Sequence, residues 1–453
     1  MDYIMTQAIV INDQEAQDLI HTVTDLIKQA KTKGVTDIEV AASINRGYGV
    51  EVRLNEVDKL EYTNDKGLAL TVYFGHRKGS ASSSDFSSSA LQTALEKACN
   101  IAHYTHEDPC VGMIEPEYLA HDYPNCDLYH TWDLSPQQAI EMAKECEQAG
   151  MASDSKITNS EGVSIDTTQG FKVFANSKDF VGSYYASQHQ ICAILLASEN
   201  HLMERDYEFS VACDPSQLNS PMDIALKAAA KAVARLNPRR VSTGKYPILF
   251  KADVARGILG HLMSAIQGGR LYRQASFLQD SLGQQLLPIA LTLEEKPHEL
   301  KAIGSAPFDT EGAAVRRREL ISNGILQTYC LDSYAARKLK MTPTGHSGGI
   351  HNVDCLCEQT YDLTEIFKTM QNGLLVTELM GQGVNLVTGD YSREASGFWI
   401  ENGEIAYPVS GVTIAGNLRE MLQQIIAVGN DVDKRGNIRT GSLLIESMIL
   451  AGA

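Results

Sequence analysis

The chain has 453 residues, 43% of them hydrophobic, enough to bury two or three separate cores. Its 39 Lys and Arg stand against 56 Asp and Glu, a formal net charge of −17, which argues against nucleic acid and anionic membrane as general partners because both need a basic surface. The longest apolar run, 191–197, is too short to cross a bilayer. The opening MDYIMTQAIVINDQEAQ lacks the basic start and long apolar run of a secretory signal, and nine scattered cysteines read as reduced thiols, so a cytoplasmic protein is expected.

Asn12 or Asp13 opens a predicted helix that runs to about residue 33, with Ala16, Leu19, Ile20, Val23, Leu26, Ile27 and Ala30 on one stripe and Gly34 as its stop. Four short strands follow, over 37–44, 49–54, 59–62 and 67–74, separated by turn chemistry such as Asn64-Asp65-Lys66-Gly67. A serine-rich stretch leads into a helix over 89–103. The proline-marked segment 104–132 is irregular and holds a boundary. Ser135-Pro136 starts a helix to residue 150, 156–211 reads as an antiparallel meander, and a helix over 222–236 stops before Asn237-Pro238. The last third begins with a strand, 246–250, and a helix, 253–267, that Asp253 is placed to cap. Asn323-Gly324 and Asn402-Gly403 mark two hairpins, and Asn372-Gly373 marks a helix end. A helix over 418–428 and a strand over 442–449 complete the pass. The pattern is α+β with mostly antiparallel sheets, in three parts: 1–125, 126–240 and 241–453.

Zinc hydrolysis needs imidazoles to hold the ion and a carboxylate to take a proton from its water. The helix over 253–267 offers His261 alone, followed by Leu262. Only two His-Glu pairs occur, His106-Glu107 and His298-Glu299, and the residues four and five after each histidine are Cys110, Val111, Ala302 and Ile303. Neither HExxH nor HExxxH is present.

Other constellations carry a second reading each. His346, His351, Cys355 and Cys357 offer soft ligands to zinc, although a strand over 353–357 would put both thiols and His351 on one face and leave His346 off it. Cys330 is a candidate nucleophile, with a small buried mid-strand residue as the plainer reading. Arg316, Arg317 and Arg318 fit ion pairs, with Asp309 and Glu311 nearby, better than a phosphate site. No P-loop or strand–GxGxxG–helix pattern supports a nucleotide.

Three stretches carry a family resemblance: GGRLYRQASFLQDSLGQQL (268–286), FDTEGAAVRRRELISNGILQTYCLDSYAARKL (308–339) and GDYSREASGFWIENGEIAYPVSGVTIAGNLREML (389–422). With the glycines and strands of 49–74, they resemble the TldD/PmbA family of metallopeptidases, its PmbA (TldE) branch in particular. The resemblance implies a heteromeric protease of unstructured peptides. Its TldD-type subunit carries an HExxxH helix and a later cysteine, and its PmbA-type subunit lacks those ligands. It therefore implies no catalytic residue and no cofactor in this chain, and zinc in the partner. The alternative reading is a non-catalytic homodimeric peptide-binding protein, the chain pairing with itself when alone. Histidines five apart lie about 140° round a helix, so such a helix must distort or run into a loop. Gly257, Gly260, Gly268 and Gly269 around His261 either keep that unusual backbone or allow close packing of helix on sheet.

Overall fold

A computed structural model describes residues 10–452; the first nine residues of the expected 1–125 part lie outside it. Helix α1 (Asp13–Lys31) starts at an Asn12–Glu15 capping box. It packs on a hairpin of unusual length, β1 (Asp37–Arg53) with β2 (Glu56–Phe74), whose tight turn sits at Leu54-Asn55, both at positive φ. The four short strands expected here are two long ones. Asn64 to Gly67, read as a turn, lies inside the ladder opposite Ser43 to Arg46, where cross-strand pairing overrides local turn preference.

Strand β3 (Arg77–Ser83) and helix α2 (Ser88–Tyr104) come next. Helix α3 (Pro136–Ala152) follows, entered through a Ser135–Gln138 capping box. The meander is β4 (Ile157–Asn176), β5 (Val181–Glu199) and β6 (Leu202–Ala212), and α4 (Pro221–Ala234) follows. These strands form one six-stranded antiparallel sheet, ordered β3-β2-β1-β4-β5-β6. Alternation on β1 sends Val40, Ala42 and Ile44 against α1 and α2, and Tyr48, Val50 and Val52 against α3 and α4.

The rest of the chain starts with β7 (Gly244–Phe250), which runs directly into α5 (Ala252–Ala265) and a single further turn, α6 (Gly268–Leu271). Then come β8 (Leu291–Glu295), β9 (Arg318–Ser322), β10 (Ile325–Leu326), α7 (Ser333–Leu339), β11 (Val353–Cys357) and α8 (Leu363–Met370). The remaining elements are β12 (Gly373–Met380), β13 (Asp390–Glu401), β14 (Glu404–Asn417), α9 (Leu418–Gln423), β15 (Ile425–Val428), β16 (Ile438–Arg439) and β17 (Leu443–Ala451). One sheet is ordered β10-β9-β8-β11-β16. The other is ordered β14-β13-β12-β7-β17-β15 and closes on itself, because β14 also pairs with β17. Most pairs are antiparallel; β7–β12 and β11–β16 are parallel.

Both Asn-Gly hairpins form, with Asn323-Gly324 and Asn402-Gly403 at positive φ. Three local expectations are corrected. The helix expected over 418–428 stops at Gln423, and Ile425–Val428 pairs with β17 instead, as β-branched residues favour. The left-handed residue ending α8 is Gln371, one before Asn372-Gly373. Lys251, not Asp253, stands at the N-cap of α5, and no side chain caps it.

Candidate functional site

Helix α5 presents two faces. Ala255, Ile258, Leu259, Leu262, Met263 and Ile266 are buried in the largest core. The other face, with Asp253, Arg256, Gly257 and His261, borders a cavity of about 310 Å³. Asp206 and Tyr207 of β6 and Arg235, the C-cap of α4, close it from the N-terminal sheet; Glu378, Tyr391 and Arg393 close it from β12 and β13.

The polar groups here divide into paired and unpaired. Arg235 meets Glu378 at 2.5 Å and Asp206 at 3.3 Å. Among the described residues Arg393 donates to the carbonyls of Leu379 and Met380 only. Burial, and then the charge of Arg393, lower the His261 imidazole below its ordinary range, so it is held neutral. Tyr391 is 1% exposed, and among the described residues its hydroxyl and Asp253 Oδ1 have no hydrogen-bond partner.

A metal does not fit this residue set. His261 is one imidazole, positions 262 and 266 point into the core, and Arg235, Arg256 and Arg393 bring three cations to the cavity. The four glycines are at negative φ and do not distort the helix. A Cβ on Gly257 would meet nothing, and on Gly260 or Gly269 only ordinary contacts. On Gly268 it would strike Ala335 Cβ at 2.5 Å and Leu331 Cδ2 at 2.7 Å, so close packing demands that glycine.

A second polar centre lies in the other C-terminal sheet. Glu295 ends β8 on its inward face, 1% exposed, and gathers both histidines of the glycine-rich stretch. Its Oε2 accepts from His346 Nε2 at 3.0 Å, and its Oε1 accepts from the His351 backbone N–H at 2.9 Å and lies 3.3 Å from His351 Nδ1. Burial alone would raise the Glu295 carboxyl; the hydrogen bonds from His346 and His351 overturn that and hold it well below the usual carboxylate range. His351 faces a cleft of about 610 Å³ between the six-stranded sheet (Ala41, Ser43, Lys172) and the loops of Phe308 and Gly348.

The two cysteines stay apart from this pair. Cys355 packs by Thr440, its thiol pushed up to about 12 by burial, and Cys357 donates to the Gln359 carbonyl. Among the described residues no group of three or more His, Cys, Asp or Glu is placed to hold a metal ion.

Cys330 is not mid-strand as expected. It makes one parallel bridge to Gln267 beside the end of α5, and burial drives its thiol far above the ordinary range, which leaves no thiolate for attack. The arginine cluster pairs with other carboxylates than those expected: Arg317 with Glu294 at 2.5 Å and Arg318 with Glu295 at 3.9 Å. Glu295 was legible as a charge on the buried alternation Leu291, Leu293, Glu295; Tyr391 and Arg393 carry no local signal that ties them to α5.

Comparison with known proteins agrees along the whole chain. Sequence models of PmbA/TldA metallopeptidase domains match 38–102 (domain 1), 129–236 (central domain) and 243–452 (C-terminal domain). The metalloprotease PmbA of Escherichia coli O157:H7 is 46% identical over 98% of each chain, and the metalloprotease PmbA homolog of Haemophilus influenzae is 44% identical over 97% of each. A solved protein from Bacteroides thetaiotaomicron, described as a candidate modulator of DNA gyrase, is 26% identical and superposes with a TM-score of 0.90, covering 98% of this chain and 100% of its own. TldE from Thermococcus kodakarensis shares the fold at a TM-score of 0.84 and 22% identity, covering 95% of this chain and 100% of its own. The chain belongs to the PmbA/TldD metallopeptidase family, on its PmbA branch.

Proposed function

We propose that this chain is the metal-free subunit of a cytoplasmic two-subunit metalloprotease that cleaves unstructured peptides. A TldD-type partner supplies zinc and the general base; this chain supplies part of the chamber wall and supports the partner's active arrangement. The observation that carries the reading is α5: the strand-to-helix unit of a metallopeptidase is intact, while the positions for its glutamate and second histidine are the apolar Leu262 and Ile266, and three arginines reach the cavity beside His261. Substrate is gripped by strand addition, which reads backbone rather than sequence. At the edge strand β6 the carbonyls of Tyr207 and Phe209 already accept from Lys231 and Arg435, which favours β3, the other edge, beside the larger cleft.

The test is cleavage of an unstructured peptide by this chain alone, by a TldD-type subunit alone, and by both. Activity that appears or rises on mixing, with co-elution of the two chains, is the expected result. Chelator-resistant cleavage by this chain alone overturns it. The second reading, a non-catalytic homodimeric peptide-binding protein, draws on the 610 Å³ cleft, and it prevails if the two chains neither co-elute nor gain activity together.

A further inference from the structure

We propose that the cavity beside α5 binds the α-carboxylate end of an amino acid or peptide. Arg393, Arg256 and the Tyr391 hydroxyl hold the carboxylate, and Asp253 holds the neighbouring N–H or ammonium. This needs no partner subunit and stands whether or not the heteromeric reading does.

The argument begins with groups that lack partners. Buried polar atoms in folded chains are almost always hydrogen-bonded, and an exception calls for an explanation. Among the described residues four buried side-chain atoms have no partner, and two of them, Tyr391 Oη and Asp253 Oδ1, belong to residues lining this one cavity. Asp253 Oδ2 has only distant cations, Arg435 at 3.8 Å and Lys251 at 3.9 Å. Arg256 forms no ion pair among the described residues, and the partners of Arg393 are two backbone carbonyls, so neither guanidinium meets a carboxylate. His261 is also without a hydrogen bond there and, being neutral, offers one donor and one acceptor.

The chemistry of the missing occupant follows from what is left over. Two guanidiniums, Arg393 with no carboxylate at ion-pair distance and Arg256 with only the longer-range charge of Asp433, together with a hydroxyl call for a planar anion, and the fork of an arginine matches a carboxylate. One unmatched carboxylate oxygen on the same helix calls for a donor close to that anion. An α-amino acid group carries both. The volume of about 310 Å³ admits a single residue, at the lower end of small-molecule sites. Free amino acids and the C-terminal residue of a peptide share this chemistry; they differ in presenting an ammonium or an amide N–H to Asp253.

Isothermal titration of the full chain, alone, with leucine, N-acetyl-leucine and leucinamide tests the assignment. Leucine or N-acetyl-leucine is expected to bind at least about tenfold more tightly than leucinamide, which keeps the shape and loses the carboxylate. Leucine ahead of N-acetyl-leucine identifies free amino acids; the reverse order identifies peptide C-termini. Arg393→Met weakens the better ligand by about tenfold or more. Tyr391→Phe separates a binding role from a structural one: it raises the melting temperature of the unliganded chain, by removing a buried unpaired hydroxyl, while weakening the ligand severalfold. Equal binding of acid and amide, no binding of any probe at millimolar concentration, or a Tyr391→Phe variant that melts lower and binds unchanged overturns the proposal.

Discussion

Two residues of the α5 region look alike in sequence and differ in consequence. A methyl group on Gly257 enters open space on a helix, so Gly257→Ala is expected to stabilise the chain by about 0.5–1 kcal/mol through lower backbone entropy in the unfolded state. The same change at Gly268 drives a methyl into Ala335 and Leu331 and is expected to cost about 1–3 kcal/mol. Chemical denaturation of both variants checks the contrast. Glu295 makes a sharper case, since its pKa is depressed in the folded state. A depressed carboxyl contributes stability that is fully present above its unfolded value, near 4.5, and lost as pH falls through the folded one. The groups facing it are His346, His351 and Arg318. Glu295→Gln is therefore expected to lose about 3 kcal/mol at neutral pH, with the gap to the parent closing as pH falls below about 4.5. A gap that stays constant across that range refutes the assignment.

The element scale explains why the metal motif cannot be restored by writing it back. With His261 as the first ligand, HExxxH needs glutamate at 262 and histidine at 266. Leu262 and Ile266 are fully buried in the core while His261 faces the cavity. The paired substitution Leu262→Glu with Ile266→His is expected to destabilise the chain by several kcal/mol, through a buried unpaired carboxylate and lost apolar packing. It is also expected to bind no zinc by metal analysis; stoichiometric zinc in a folded variant refutes this. Elements with their own local signals were legible in sequence: the capped α1 and α3, and the Asn-Gly hairpins. Elements decided by distant partners were not. Asn64 to Gly67 reads as a turn until β1 is laid beside it, and Ile425–Val428 reads as helix until β17 supplies its ladder. The candidate site failed in the same way. The sequence showed that α5 has one histidine, but Tyr391 and Arg393 reach it from a strand more than a hundred residues later, and Arg235 from the end of the preceding helix.

In the whole molecule, the six-stranded sheet and the C-terminal sheets are tied by ion pairs that cross between them: Arg435 to Glu208, Arg235 to Glu378, and Lys301 to Asp214. The strongest tie is Arg337 on α7, which donates to the carbonyls of Cys110, Gly112 and Met113 and to Glu115, so it pins the irregular segment ahead of α3. Arg337→Ala leaves those acceptors without their donor and is expected to cost about 2–4 kcal/mol. In calorimetry the parent is expected to unfold in one transition and the variant in two; a variant with a single unshifted transition removes Arg337 from this role.

The closure of the barrel sheet has a consequence for synthesis. β7, at the start of that sheet's chain segment, needs β17 as a neighbour, and β14 needs the same strand to seal the sheet. Residues 443–451 leave the ribosome some two hundred residues after β7, about ten to forty seconds later at ordinary elongation rates. The six-stranded sheet has all its strands by residue 212 and can settle during that wait. The barrel segment meanwhile stays open, with Ile248, Phe250, Leu374 and Val376 unburied, and this interval is when the nascent chain most needs protection from aggregation.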